Sequence, residues 1–212
     1  MNVSYSEFRR RARESLRGQW GKSVGAILLA SIPSFILAFL GLFSHTLKVA
    51  GDIMSYVIAG MIALGTAAFF LGISRHQKPP AKSIYQGFNN PGKAFLLYIL
   101  MAIFICLWTL LLIIPGIIAA YRYSQAYYIL TDNPNISPLE AIRRSKEMMV
   151  GHKWRLFVLQ LTFIGWALLC ILTLGIGYLW LGAYISVASA HFYDEVNNQG
   201  EKPPAPLDLS KS

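Results

Sequence analysis

Long uncharged stretches alternate with short basic segments along this chain. A run of about 20 apolar residues is long enough to cross the hydrocarbon core of a bilayer as a helix. Two stretches have that length, a third contains Pro115-Gly116, and a fourth is twice as long, with Gly175 near its centre. The four stretches are residues 24–43, 53–74, 94–120 and 154–193. The pattern predicts an all-α fold, a polytopic membrane helical bundle.

The region around Pro115 allows two interpretations. It is a single kinked helix, since membrane helices tolerate proline where neighbouring groups satisfy the freed carbonyl, or it is a tight hairpin. The basic residues decide between them, because they cluster in residues 1–22, 75–93 and 131–155, whereas the segment between the first two stretches holds only Lys48. Basic segments stay on the cytoplasmic side, and only a hairpin at Pro115 places all three there.

Six membrane-spanning helices, grouped as three hairpins with both termini in the cytoplasm, follow from this assignment. The predicted spans are residues 24–43, 53–74, 94–114, 116–131, 155–174 and 176–193. Residues 1–196 then form a single membrane domain, residues 197–212 a disordered tail, and residues 75–93 a loop. The fourth span is short, so a re-entrant path stays open as its alternative.

A charged segment occurs twice, each time before an apolar stretch. Residues 7–18 correspond to residues 140–151, with two glutamates, an Arg-Arg pair and a final glycine at matching positions. An apolar stripe beside a basic face predicts a helix that lies in the cytoplasmic membrane interface. The two in-plane amphipathic helices are residues 4–17 and 138–150, and Ser137-Pro138 is typical of a helix start.

The basic faces of these helices are candidate contacts to anionic lipid headgroups or to a membrane-protein partner. The candidate residues are Arg10, Arg11, Arg143, Arg144 and Lys146. The simpler interpretation is that the two helices only anchor and orient the hairpins that follow them.

The composition agrees with a membrane protein and argues against other classes. The chain is 55% hydrophobic and 14% charged, whereas a soluble domain carries about a quarter charged residues. Its net charge of +9 comes from residues that flank apolar stretches, so lipid headgroups are the expected counter-charge and nucleic acid is not. Phosphate-loop, metalloprotease and nucleophile motifs are missing, so the sequence predicts no enzyme, no metal and no cofactor. Cys106 and Cys170 are expected to be small core residues of the spans.

Arg122 is the one ionisable residue well inside a predicted span. An arginine there is a functional candidate, because its charge is costly to place in hydrocarbon. Tyr121 and Gln125 lie within helical reach, and His191 near the end of the last span completes a candidate polar cluster. The tyrosines around Arg122 also match an interfacial aromatic belt, in which the arginine has no function of its own.

Five segments of the chain together resemble a known family: residues 11–22, Ile114 to Leu130, Asp132-Asn133-Pro134, residues 141–154 and Leu172 to Gly177. The family that they resemble is a group of bacterial membrane proteins, the domain of unknown function numbered nine-seven-five. The resemblance covers nearly the whole chain and implies a multi-pass protein in the plasma membrane of a bacterium. The family is distantly similar to the membrane domain attached to some glycerophosphodiester phosphodiesterases, which implies an accessory role in lipid or envelope metabolism. No catalytic residue carries over, because that chemistry lies in a separate soluble domain.

Two functions are therefore expected from the sequence. The first is a non-enzymatic plasma-membrane protein, a scaffold or accessory subunit in envelope or lipid processes. The alternative is a small transporter or lipid-translocating protein that uses the cluster around Arg122 to hold an anionic group.

Overall fold

The computed structural model describes residues 4–173 and 175–200, and within these ranges every element is helical. The elements are ten α-helices and one 3₁₀ helix, Ala81–Asn89. The α-helices are α1 (Tyr5–Leu16), α2 (Trp20–Leu40), α3 (His45–Ser74), α4 (Pro91–Leu111), α5 (Ile113–Tyr123), α6 (Ala126–Asp132), α7 (Pro138–Met148), α8 (Lys153–Leu161), α9 (Ile164–Leu172) and α10 (Gly177–Gly200). The predicted all-α membrane-type fold is confirmed. α10 runs four residues into the segment predicted as a disordered tail, and the rest of that segment lies outside the described residues.

Four helices in the described ranges are long and apolar enough to cross a membrane. They are Trp20–Leu40, Lys48–Ser74, Pro91–Leu111 and Lys153–Ile171, the last of which combines α8 and most of α9. The predicted span 116–131 is not among them, because the chain breaks at Ser124-Gln125 into the short helices α5 and α6. The predicted span 176–193 lies in α10, which is long but not apolar enough to be among the four.

Two pairs of consecutive helices pack antiparallel. In the first pair Gly41 at the end of α2 lies against Lys48, and Gly51 of α3 lies against Leu37. In the second, Gly177 at the start of α10 lies against Cys170 of α9. Farther along this pair the rings of Phe163 and Tyr184 are 5.1 Å apart. Small residues at these positions let the helix backbones approach closely, as in other membrane bundles.

α4 and α5 also turn back on each other. Leu112 adopts an extended conformation between them, Gly116 lies against Thr109, and the rings of Phe104 and Tyr123 are 6.0 Å apart. Pro115 lies in the first turn of α5, where its missing N–H costs no intrahelical hydrogen bond. The region is therefore a turn between two helices and not a kink within one.

The position of this turn differs from the expected arrangement, in which all the hairpin turns lie at one level. Ile114 and Tyr121 of α5 share an apolar cavity of about 220 Å³ with Lys153 and Trp154 at the start of α8. The turn at Gly175 lies beyond the other end of the helical segment Lys153–Ile171, which is 19 residues or about 28 Å long. The α4–α5 turn thus lies beside the end at which α8 begins.

The 3₁₀ helix packs tightly against α3, although the sequence predicts a loop there. Gly65 of α3 lies directly beneath the carbonyl of Ile84, and Gly87 of the 3₁₀ helix lies beneath the carbonyl of Met61. The hydroxyl of Tyr85 donates a 2.7 Å hydrogen bond to the carbonyl of Leu29 in α2. Glycines that contact the backbone of another helix leave no periodic pattern of apolar residues in the sequence, which explains why the sequence pattern misses this element.

The protein core lies at one end of the bundle, where α1, α7 and the last turns of α3 and α10 meet. We call this end the basic end, because it carries the duplicated Arg-rich helices. Its fully buried side chains include Phe8, Phe69, Phe70, Ile73, Ile84, Met149, Leu156 and Phe192. Away from the basic end, the α2–α3 turn and the end of α4 expose apolar side chains to the surroundings. Leu42 is 80% exposed and Leu110 is 84% exposed. Apolar surface of this kind is expected where lipid covers the protein.

Candidate functional site

The duplicated helices, α1 and α7, share the two ion pairs of their first glutamate, whereas the Arg10–Glu14 pair of α1 has no counterpart among the ion pairs of α7. In α1, Glu7 accepts hydrogen bonds from Arg10 at 2.8 Å and from Arg11 at 2.9 Å. In α7, the corresponding Glu140 accepts from its two arginines at the same two distances, 2.8 and 2.9 Å. The donors there are Arg143 and Arg144.

These hydrogen bonds lower the pKa of Glu7 and that of Glu140 to about 2. Both carboxylates therefore stay ionised, and the pairs stay formed, at any pH well above that value. In α7 one glutamate holds two arginines, so its ion-paired cluster keeps a surplus of positive charge, whereas in α1 Glu14 also pairs with Arg10 and balances the two arginines. Lys146 is exposed nearby and forms no ion pair with another described residue.

The buried sides of the two helices correspond as well. Phe8, Ala12 and Leu16 of α1 are buried. The corresponding residues of the second copy, Ala141, Ser145 and Met149, are also buried. The apolar stripe of α1 thus packs inside the protein, whereas in the second copy Ile142 and Met149 are buried but Leu139 and Val150 are exposed; the sequence predicts contact of both stripes with the membrane interface. What projects outward is the ion-paired face with Arg10 and Arg143, both of which are exposed.

Each copy ends at a glycine in the left-handed region, Gly18 with φ of 79° and Gly151 with φ of 78°. Only glycine adopts this conformation at no steric cost. Ser137 accepts a hydrogen bond from the amide of Glu140, as its predicted capping role requires, whereas Ser4 makes no such bond in α1. The internal match in the sequence is therefore a structural repeat.

An ionic network that the sequence interpretation missed joins α3, α6 and α10 at the basic end. The Arg75 guanidinium donates to both carboxylate oxygens of Asp132 at 2.7 Å, and to Asp194 at 2.8 and 3.1 Å. Tyr193 donates to Asp132, and Ser74 to Asp194. The hydrogen bond to Asp132 raises the pKa of Arg75 above its ordinary value.

A signal for this network was present in the sequence. Arg75, Asp132 and Asp194 are each the first residue after a predicted span: 53–74, 116–131 and 176–193. All three spans end on the same side, so opposite charges at those positions are expected to meet.

A polar cavity of about 360 Å³ lies next to this network, between α1, α3 and α10. Its lining residues are Glu7, Arg10, Arg11, Glu14, Ser74, His76 and His191. His191 Nε2 lies 3.0 Å from the hydroxyl of Ser15, which is buried. His76 has a positive φ of 57°, uncommon for a residue with a side chain. No cluster of three metal-ligating side chains occurs among the described residues.

The residues of the predicted polar cluster have separate partners. Tyr121 donates to Gln160 at 2.7 Å, His191 contacts Ser15, and Gln125 donates from its amide to Ser124. The carbonyl of Arg122 accepts from Ser145 of α7, and the Arg122 side chain is half-buried. His191 is therefore hydrogen-bonded to α1 and not to the segment around Arg122.

One family model matches almost the whole of the described chain. Its description is "Protein of unknown function (DUF975)", and it matches residues 1–115 and 109–200. The chain belongs to this family. The two matches overlap at the α4–α5 turn, and each includes one copy of the DUF975 chain's duplicated helix. Comparison with curated proteins and with solved structures found no match.

Proposed function

We propose that the chain is a multi-pass membrane protein, not an enzyme, that acts as a scaffold or accessory subunit in envelope or lipid processes. The observation that carries the proposal is how α1 and α7 pack against the rest of the protein. One side of each helix is packed against the protein, wholly in α1 and partly in α7, and the ion-paired sides with Glu7 and Glu140 face outward at the basic end. A surface fixed in this way suits contact with anionic lipid headgroups or with a membrane-protein partner. The implied link to lipid metabolism rests on the resemblance to phosphodiesterase membrane domains.

The orientation of the bundle follows from its basic end. α1, Arg75 and α7 lie together there, and the positive-inside tendency assigns this end to the cytoplasm of a bacterium, with both termini on that side. α2 with α3, and α8–α9 with α10, then enter the membrane from the cytoplasm and return. We assign α4 and α5 to a pair that re-enters the same side, because Ile114 shares a cavity with Lys153 and Trp154. The six-span arrangement is the competing topology.

Cysteine labelling separates the two topologies. Leu42→Cys, at the exposed α2–α3 turn, should react with a membrane-impermeant maleimide added to intact cells. Ile113→Cys, 71% exposed at the α4–α5 turn, should stay unlabelled until the membrane is opened. Glu147→Cys, exposed on α7, is the cytoplasmic control. Labelling of Ile113→Cys from outside would establish the six-span arrangement, and labelling of Glu147→Cys from outside would overturn the orientation.

The lipid contact of α7 predicts opposite effects for two single substitutions. Arg144→Gln should lower the preference of the purified protein for phosphatidylglycerol over phosphatidylcholine by about fivefold, since one basic residue near an anionic surface contributes about 1 kcal/mol. Glu140→Gln should raise it, because Arg143 and Arg144 lose their carboxylate partner. Bound lipid is measured by mass spectrometry after equilibration with mixed micelles. A change of the same sign in both variants would indicate a purely structural role.

The transport alternative has one observation in its favour. Gln125 is buried, and its Oε1 atom has no hydrogen-bond partner among the described residues, one helical turn from Arg122. An unpaired buried oxygen is costly and is common at functional sites. Arg122→Ala separates the two functions, because it would abolish movement of an anionic solute or lipid in a transporter and leave the scaffold role unchanged.

A further inference from the structure

An apolar groove of about 410 Å³ lies between the α1–α2 junction and the α9–α10 pair, on a different surface from the charged face of α7. Its lining residues are Arg13, Trp20, Trp166, Cys170, Gly177, Trp180, Leu181 and Tyr184. Three of the five tryptophans of the chain are in this set. Arg13 is its one charged member.

The two ends of the groove adjoin different parts of the fold. Along α10 its lining runs from Tyr184 to Gly177, about 10 Å of helix that ends beside the Gly175 turn. The hydroxyl of Tyr184 donates to the carbonyl of Arg9 in α1, and the ring of Trp20 is 6.5 Å from that of Tyr184. α1 therefore adjoins the Tyr184 end. Arg13 and Trp20 lie at this end, and Trp166 and Trp180 continue away from it.

The charge of Arg13 is available to a ligand. Its neighbours Arg10 and Arg11 are engaged by Glu7, whereas Arg13 is exposed and makes no ion pair or side-chain hydrogen bond within the described part of the chain. An aromatic apolar channel with a cation at one end matches a ligand that has an apolar tail and an anionic head. Trp166 and Trp180 are about half exposed, so the channel is open along its side to the surroundings of the helices.

We propose that this groove binds one anionic phospholipid of the cytoplasmic leaflet. An acyl chain lies along Trp166 and Trp180 toward Gly177, and the phosphate contacts Arg13. The proposal rests on the membrane embedding given under the proposed function, in which α1 belongs to the cytoplasmic end and the Gly175 turn to the opposite end, so Arg13 marks the end of the groove nearer the cytoplasmic headgroups. Tryptophan at such a boundary is favoured, since its ring is apolar and its N–H can reach the headgroups.

Quenching of tryptophan fluorescence by brominated lipid tests the site locally. A Trp108→Phe/Trp154→Phe background leaves only the three groove tryptophans. In detergent micelles, dibromo-phosphatidylglycerol should quench this protein at about a fivefold lower mole fraction than dibromo-phosphatidylcholine. Arg13→Gln should remove the difference. Arg17→Gln, which removes an equal charge from an exposed position outside the groove, should keep it.

Two outcomes would overturn the proposal. One is equal quenching by the two lipids in the parent background, and the other is an equal loss of preference in Arg17→Gln and Arg13→Gln, which would indicate a general charge effect. Circular dichroism and thermal unfolding of each variant establish that it is folded. Failure here with correct labelling of Leu42→Cys would reject the groove and leave the proposed membrane function intact, whereas failed labelling would reject the embedding itself.

Discussion

Gly65→Ala is expected to lower the free energy of unfolding by about 3 kcal/mol, because its new methyl group would overlap the carbonyl oxygen of Ile84. The position of the Cβ is fixed by the backbone of α3, and the oxygen belongs to the backbone of the 3₁₀ helix, so no side-chain rotation relieves the clash. The 3₁₀ helix would have to move away from α3, which also strains the hydrogen bond from Tyr85 to α2. Thermal unfolding in detergent should show a fall of roughly 6–12 °C for a chain of this size.

Gly25→Ala is the matched control for this substitution. Gly25 also lies inside a long apolar helix, but an added Cβ meets no atom within 4 Å. Alanine should therefore leave stability unchanged or raise it by about 0.5–1 kcal/mol, since glycine is the poorer helix former. Equal stability losses at Gly25 and Gly65 would show that the close approach of the 3₁₀ helix is not what matters.

The sequence predicts the individual helices of the fold better than it predicts the contacts between distant segments. The long apolar runs follow directly from hydrophobicity, and the repeat from residue identity, so an all-helical fold with long apolar helices could be predicted from the sequence. The 3₁₀ helix was missed because Gly65 and Gly87 act by contact between distant backbones. Likewise, the apolar stripes of the repeated helices have the same pattern whether lipid or protein covers them, and only the structure reveals that α1 packs against α3 and α10 and that α7 packs against α4 and α6.

The candidate sites show the same division. The pairing of Glu140 with Arg143 and Arg144 is local, so spacing within one helix contains it. The groove around Trp166 and Trp180 depends on how α1 lies across the α9–α10 pair, which no local pattern specifies. Its charged member, Arg13, resembles its neighbours in sequence and differs from Arg10 and Arg11 only in lacking a carboxylate partner.

Arg155 should be the charged residue whose loss destabilises the basic end most. It donates a 2.8 Å hydrogen bond to Glu195, and the two side chains are only 13% and 9% exposed. Its guanidinium also lies 5.8 Å from the ring centre of Phe192. Arg155→Met deprives the buried Glu195 carboxylate of this charged partner, so it should lower the free energy of unfolding by about 3 kcal/mol.

A double-mutant cycle tests whether the loss comes from the pair itself. Glu195→Gln alone should destabilise the protein, and Arg155→Met combined with Glu195→Gln should cost less than the two single effects together, because no uncompensated charge remains. Arg10→Gln is the surface control: its side chain is 63% exposed, so its ion pair with Glu7 is screened by water and should contribute less than about 0.5 kcal/mol. If the Arg155 and Glu195 effects are instead additive, the link between α8 and α10 at the basic end must come from apolar packing around Leu156 and Phe192.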